Sequence, residues 1–110
     1  MKNINFNRDV IEVVWLIPKG RVSTYGAIAN YLGAKNSSRM VGWVLNSTIK
    51  IPNFPAHRVV NRSGLLSGKI HFSSFTAMEE LLLIDGVKVE NDLVLNFNEI
   101  FWDPIIELKL

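Results

Sequence analysis

What most limits the fold of this chain is the way breaker residues divide three short runs of helical hydrophobic spacing. Phe6, Val10, Val13, Val14 and Ile17 recur at helical intervals behind Asn5, a residue suited to capping, and Pro18 and Gly20 end the run. Thr24 or Ser23 can cap a second run that reaches Tyr31-Leu32 and is closed by Gly33. Ser37 or Ser38 opens a third, extending to Leu45 or Asn46, with Met40, Val41, Val44 and Leu45 facing inward. Two short helices joined by a turn at Gly33-Ala34-Lys35-Asn36 read as a helix-turn-helix.

The second half is punctuated differently. Ile51-Pro52-Asn53-Phe54-Pro55 is a stiff, extended segment. Residues 58–61 suit a short strand, and Asn61-Arg62-Ser63-Gly64 a turn into Leu65-Leu66, so the pair reads as a wing. A fourth helix is expected from Ser73 to Ile84, ending at Gly86. Val87-Lys88-Val89 and Leu93-Val94-Leu95 flank Glu90-Asn91-Asp92 as a terminal hairpin. The expected architecture is mainly α: one compact winged helix-turn-helix domain over residues 1–110, with a short β wing and hairpin. Trp43 is expected in the core and Trp102 as an anchor for the tail.

Charge is distributed more sharply than the net value of +2 suggests. Lys19, Arg21, Lys35, Arg39, Lys50, Arg58, Arg62 and Lys69 all lie between Glu12 and Glu79, an interval without Asp or Glu. From Glu79 onward eight acids face only Lys88 and Lys109. A basic middle with an acidic tail suits a polyanion. The chain has no cysteine, which removes disulfides, zinc-thiolate sites and thiol catalysis together. No apolar run approaches the roughly 20 residues of a membrane span, and Met1-Lys2-Asn3-Ile4-Asn5 has no signal-peptide hydrophobic region. A cytoplasmic protein is expected, nucleoid-associated if bacterial, with neither metal nor cofactor.

Several motifs carry a resemblance to a known family. Pro55-Ala56-His57-Arg58-Val59-Val60 resembles the Pro-Cys-His-Arg-Val signature of the O6-alkylguanine-DNA alkyltransferases, with alanine where the reactive cysteine stands. The segment Ile17-Pro18-Lys19-Gly20-Arg21-Val22-Ser23-Thr24-Tyr25-Gly26-Ala27-Ile28-Ala29, then Arg39-Met40-Val41-Gly42, Gly64 and Leu81-Leu82-Leu83-Ile84-Asp85-Gly86-Val87 follow in family order. Phe101-Trp102-Asp103-Pro104 is similar to the tail of the alkyltransferase-like branch.

The resemblance implies a non-catalytic protein that binds duplex DNA through the minor groove, flips O6-alkylguanine and flags it for repair, with nucleotide excision repair proteins as receivers. It implies that Arg39 is inserted into the duplex and that Tyr25 steers the flipped nucleotide. Ser23, Thr24 and Ala27 are then candidates for phosphate contact, and Gly42 for close approach of the recognition helix. The pocket walls would be Tyr25, Pro55, Ala56, Val59, Leu66, Ser67, Gly68 and Lys69, with Lys69 able to touch an alkylated base or a phosphate from the rim. Ala56 leaves that pocket slightly roomier than cysteine would. A monomer is expected, because one flipped nucleotide needs no dimer.

The departures from the family pattern concern its chemistry. A thiolate is the nucleophile there, helped by a neighbouring His, and the methyl of Ala56 can accept nothing. His57 is left as a structural link to Asp85, which replaces a glutamate and whose shorter side chain puts that hydrogen bond in question. Thr48-Ile49 stands in place of an asparagine-proline pair, and Lys69-Ile70-His71-Phe72 in place of a tyrosine followed by two glycines. A methyltransferase whose cysteine has been replaced by Ala56 and a winged-helix transcription regulator remain as alternatives. A hydrolase using Ser63 or Ser67 with His57 or His71 has no triad context.

Overall fold

The structure, a computed structural model, describes residues 5–109. Helix α1 (Phe6–Leu16) buries Val10, Val13 and Val14 on one stripe. It stops because Ile17 precedes a proline and turns to extended backbone, φ −66° and ψ 119°. Asn5 occupies the cap position but contributes only its carbonyl, which accepts from the Asp9 amide; its side chain makes no capping bond.

Strand β1 (Ser23–Thr24) leads directly into α2 (Tyr25–Tyr31), where the Thr24 hydroxyl accepts from the Ala27 amide at 3.0 Å. Gly33, at φ +76°, closes α2, and the Ala34 amide reaches back to the Ala29 carbonyl at 2.9 Å. Helix α3 (Ser38–Thr48) follows and packs against both α1 and α2. Val41, Val44 and Leu45 face the core as expected, whereas Met40 is 46% exposed. At roughly 100° per residue, Met40 falls at the edge of the stripe that the other three define.

The strand after the Ala56–Arg58 turn is β2 (Val59–Val60), and its partner differs from the expected one. It pairs in parallel with β1, Ser23 opposite Val59 and Thr24 opposite Val60. The turn at Asn61–Gly64 forms, but Leu65 bridges Leu93 of the terminal hairpin. Alternation along β2 divides the interior, since successive side chains point to opposite faces. Val59 joins the cluster under the helix-turn-helix, and Val60 joins a second one with Val22, Leu66, Met78, Leu82, Val87 and Val94.

Helix α4 (Ala77–Ile84) begins later than expected, because Lys69–His71 forms a tight helical turn and residues 73–76 are irregular. The hairpin of β3 (Val89–Glu90) and β4 (Leu93–Val94) turns on Asn91 and Asp92, both at positive φ. Short helices α5 (Phe97–Ile100) and α6 (Pro104–Glu107) complete the chain. Between them Trp102, 3% exposed, fastens the tail beside β1: its amide donates to the Val22 carbonyl at 2.7 Å. Arg21 holds the same tail through the Ile100 and Phe101 carbonyls and Glu107.

Candidate nucleic-acid interface

The helix-turn-helix presents Tyr25, Arg39, Gly42 and Trp43 around one open cleft of about 350 Å³. Arg39 is exposed in the first turn of α3. It takes no part in the ion pairs among the described residues. The Tyr25 ring lies against α3 at Gly42, where an added Cβ would stand 3.9 Å from Cδ1 and Cε1. Its hydroxyl abuts Gly68, where an added Cβ would stand only 2.8 Å away. Two glycines therefore seat one phenol, which also packs on the cluster holding Ala56 and Val59. Burial pushes the phenol pKa up, partly offset by hydrogen bonding to Ser67, so Tyr25 stays a protonated donor at neutral pH.

Four expectations change here. Trp43 is not core but 63% exposed on α3. It lies on the side opposite Val41, Val44 and Leu45, which the helical advance already dictated. The Ser23 side chain is fully buried and its Oγ lacks a hydrogen-bond partner among the described residues, so it cannot reach a phosphate from this position. The Ala27 amide is spent on the Thr24 hydroxyl and is not available to a phosphate, while Thr24, 6% exposed, only accepts that bond and keeps its own O–H to donate. The Lys69 ammonium donates to Asp92 at 2.6 Å across to the hairpin turn. Ser67 is exposed, while Pro55, Ala56 and Val59 are buried.

Behind Ala56 the remnant of the motif is fully assembled. His57 Nε2 donates to Asp85 Oδ2 at 2.9 Å. Arg58 grips the same carboxylate twice, Nε to Oδ2 at 2.7 Å and a terminal nitrogen to Oδ1 at 3.1 Å, and also donates to the Ile17 carbonyl. The shorter Asp85 side chain does reach. Its own burial would raise its pKa, but the hydrogen bonds from Arg58 and His57 outweigh that and hold it below the ordinary value. Burial lowers the His57 pKa despite the carboxylate beside it, so the ring is neutral near pH 7. Because an ionised carboxylate only accepts, the proton sits on Nε2. Nδ1 is then an acceptor, and it has no partner among the described residues.

The sequence reading missed a cavity of about 730 Å³ beside this site, lined by Ile49, Ile51, Phe54, His57, His71 and Phe72 among others. The approach to Ala56, expected to be extended, instead turns: Asn53 stands at φ +64° and the Phe54 amide donates to the Ile51 carbonyl at 3.1 Å, which leaves Phe54 buried and Ile51 exposed on the cavity wall. Trp15 is 46% exposed and meets Phe54 edge-on at 5.3 Å. No cluster of His, Asp or Glu among the described residues could hold a metal ion. No described helix is long and apolar enough to cross a membrane.

Fold and site together define a mainly helical helix-turn-helix domain built around an alkyltransferase motif that lacks its sulfur. The model of the 6-O-methylguanine DNA methyltransferase DNA-binding domain matches residues 5–87, and the chain belongs to that family. It is 32% identical over 108 residues to alkyltransferase-like protein 1 of Schizosaccharomyces pombe, covering 94% of this chain and 100% of that one. It is also 32% identical over 102 residues to a DNA base-flipping protein of Escherichia coli, covering 93% and 78%. Among solved structures it resembles S. pombe Atl1 in complex with damaged DNA containing O6-carboxymethylguanine. That match has a TM-score of 0.82, 33% identity and coverage of 94% and 100%. Mycobacterium tuberculosis OGT in complex with DNA matches with a TM-score of 0.62 at 30% identity, over 76% of this chain and 51% of that one.

Proposed function

We propose that this protein recognises O6-alkylguanine in duplex DNA without removing the alkyl group, and marks it for repair by other proteins. The observation that carries this reading is Ala56. The surrounding motif is folded and hydrogen-bonded, yet the one position that must supply a nucleophile carries a methyl group, and no cysteine exists elsewhere to replace it. What such a chain retains is binding.

In this reading α3 enters the minor groove and Arg39 fills the space left when the lesion nucleotide is rotated out. The planar guanidinium stacks on bases and donates to the orphaned partner. Extraction costs a few kcal/mol, less for a base whose pairing is already damaged. Tyr25, Ser67 and the floor at Pro55, Ala56 and Val59 recover that cost by stacking and edge contacts. The methyl of Ala56 leaves the floor roomier than a cysteine would, which favours alkyl groups larger than methyl. Nothing then consumes the lesion, so useful repair requires a handover, for which nucleotide excision repair proteins are the proposed receivers. The protein acts as a monomer.

Fluorescence anisotropy with two otherwise identical duplexes, one carrying O6-methylguanine and one guanine, tests the reading. Tighter binding to the modified duplex is expected, with the methyl group still on the DNA when it is digested and weighed afterwards. Equal affinity for both would leave a general DNA-binding winged helix.

A further inference from the structure

Trp43 stands beside Arg39 and serves no part of the core. It is 63% exposed, although tryptophan is highly buried on average. It follows Arg39 by one helical turn, so the two side chains leave the same side of α3 with their bases about 5–6 Å apart. Gly42 leaves the cleft floor open between Trp43 and the Tyr25 ring, and Ser38 and Asn46 complete the lining. No acid lines the cleft, and none occurs in the chain from Val13 to Met78. A flat apolar ring beside an unpaired guanidinium, in an acid-free cleft, suits a surface that is anionic and ridged with sugars.

We propose that Trp43 is a further DNA-contacting residue on α3. Its indole lies along the minor groove next to Arg39, with its face against the deoxyribose wall. Its Nε1–H donates to a purine N3 or pyrimidine O2 at the step beside the flipped nucleotide. This rests on the reading of the chain as a minor-groove lesion binder. The chemistry also sets a sequence preference. An A·T pair shows only acceptors in the minor groove, and a G·C pair adds the guanine amino donor. The indole donates and cannot accept, so it is matched by A·T and has nothing to offer that amino group. Trp43 therefore favours A·T over G·C at one neighbouring step, whether or not a lesion is present.

The test titrates the wild-type, Trp43→Phe and Trp43→Ala chains with the modified and unmodified duplexes, following tryptophan emission and DNA anisotropy. DNA should change the wild-type emission, and most of that change should be missing from Trp43→Phe, because Trp102 is buried and Trp15 lies on α1. Trp43→Ala should bind both duplexes roughly tenfold more weakly, the scale of losing one aromatic stacking contact. Its slope of log affinity against log salt should stay unchanged, since no charge is removed. Replacing the neighbouring A·T by G·C should weaken wild-type binding several-fold and leave Trp43→Ala indifferent, and inosine in place of that guanine should restore the wild type. Wild-type emission untouched by DNA, with Trp43→Ala affinity within twofold, overturns the proposal while leaving any lesion preference standing. Trp43-dependent binding without lesion preference supports the proposal and removes lesion recognition.

Discussion

Arg58 and Arg39 carry the same charge and meet opposite surroundings. Arg58 is gripped by Asp85 and by the Ile17 carbonyl, with its side chain only 17% exposed, while Arg39 stands in water on α3 with no carboxylate partner among the described residues. Arg21 and Lys69 resemble Arg58: one is tied to the tail and the other to Asp92. The basic middle of the sequence is therefore two populations. One is consumed in joining the acidic second half to the body, and only the other remains for a polyanion. Net charge along a chain overstates what a ligand can find, and the pairing decides the remainder.

The comparison is broken most severely at Asp85. Asp85→Ala should cost about 3–5 kcal/mol, since it strands Arg58 and leaves His57 without its acceptor in a buried site. Urea denaturation reads this directly. The same site sets a pH dependence. His57 has a folded pKa below its ordinary 6.5, so the unfolded chain takes up the proton first. Stability is full above that value and falls as pH drops through the interval down to the folded pKa. The depressed Asp85 adds a second loss below 3.8, as pH falls toward its own folded value. A His57→Gln chain should lack the first decline.

Arg39→Ala should do the reverse, leaving the melting curve within about 0.5 kcal/mol of wild type. Affinity for the lesion duplex should fall by about 2 kcal/mol, roughly thirtyfold, the scale of a lost charge-assisted hydrogen bond. Parallel melting and anisotropy separate the two effects, and an Arg39→Ala chain that loses stability instead would erase the distinction between the arginines.

Gly68→Ala probes the seam between the two regions. The new methyl meets the Tyr25 hydroxyl and should cost about 1 kcal/mol of stability, at the low end of overpacking, together with some lesion selectivity. Adding Tyr25→Phe removes the obstructing oxygen, so the double variant should be more stable than the sum of the two single changes.

The smallest expected effect is at Ala56. Ala56→Cys should fold normally and still take up no alkyl group, as intact mass spectrometry after incubation with the modified duplex would reveal. The His57–Asp85 link is present, but the Thr48 hydroxyl is spent on the Val44 and Leu45 carbonyls of its own helix and the Lys69 ammonium is tied to Asp92. An alkylated product would instead favour a methyltransferase missing only its sulfur.

The helices were legible because their signals are local. Pro18 after Ile17, Thr24 before Ala27 and Gly33 after Leu32 act within a turn of the residues they govern. The hairpin was legible for the same reason at Asn91-Asp92. What stayed hidden depends on partners distant in sequence. Nothing near Val59-Val60 reveals that Ser23-Thr24 lies beside it, so a local wing was the natural reading. Nothing near Lys69 names Asp92. Trp43 is a different case, since its position relative to Val41, Val44 and Leu45 was available. The general habit of tryptophan to bury itself outweighed the angle.

The Asp85 carboxylate has one more implication. The end of α1, the turn after Ala56 and the end of α4 all meet on it through Arg58 and His57. A residue is free to drift only when nothing else leans on it. The methyl of Ala56 receives no hydrogen bond and supports none, so its place in the core limits its size but not its chemistry. Its two successors hold three segments of chain together. A protein of this shape can shed its reactivity in a single step and then has no comparably easy route to shedding the motif that surrounded it.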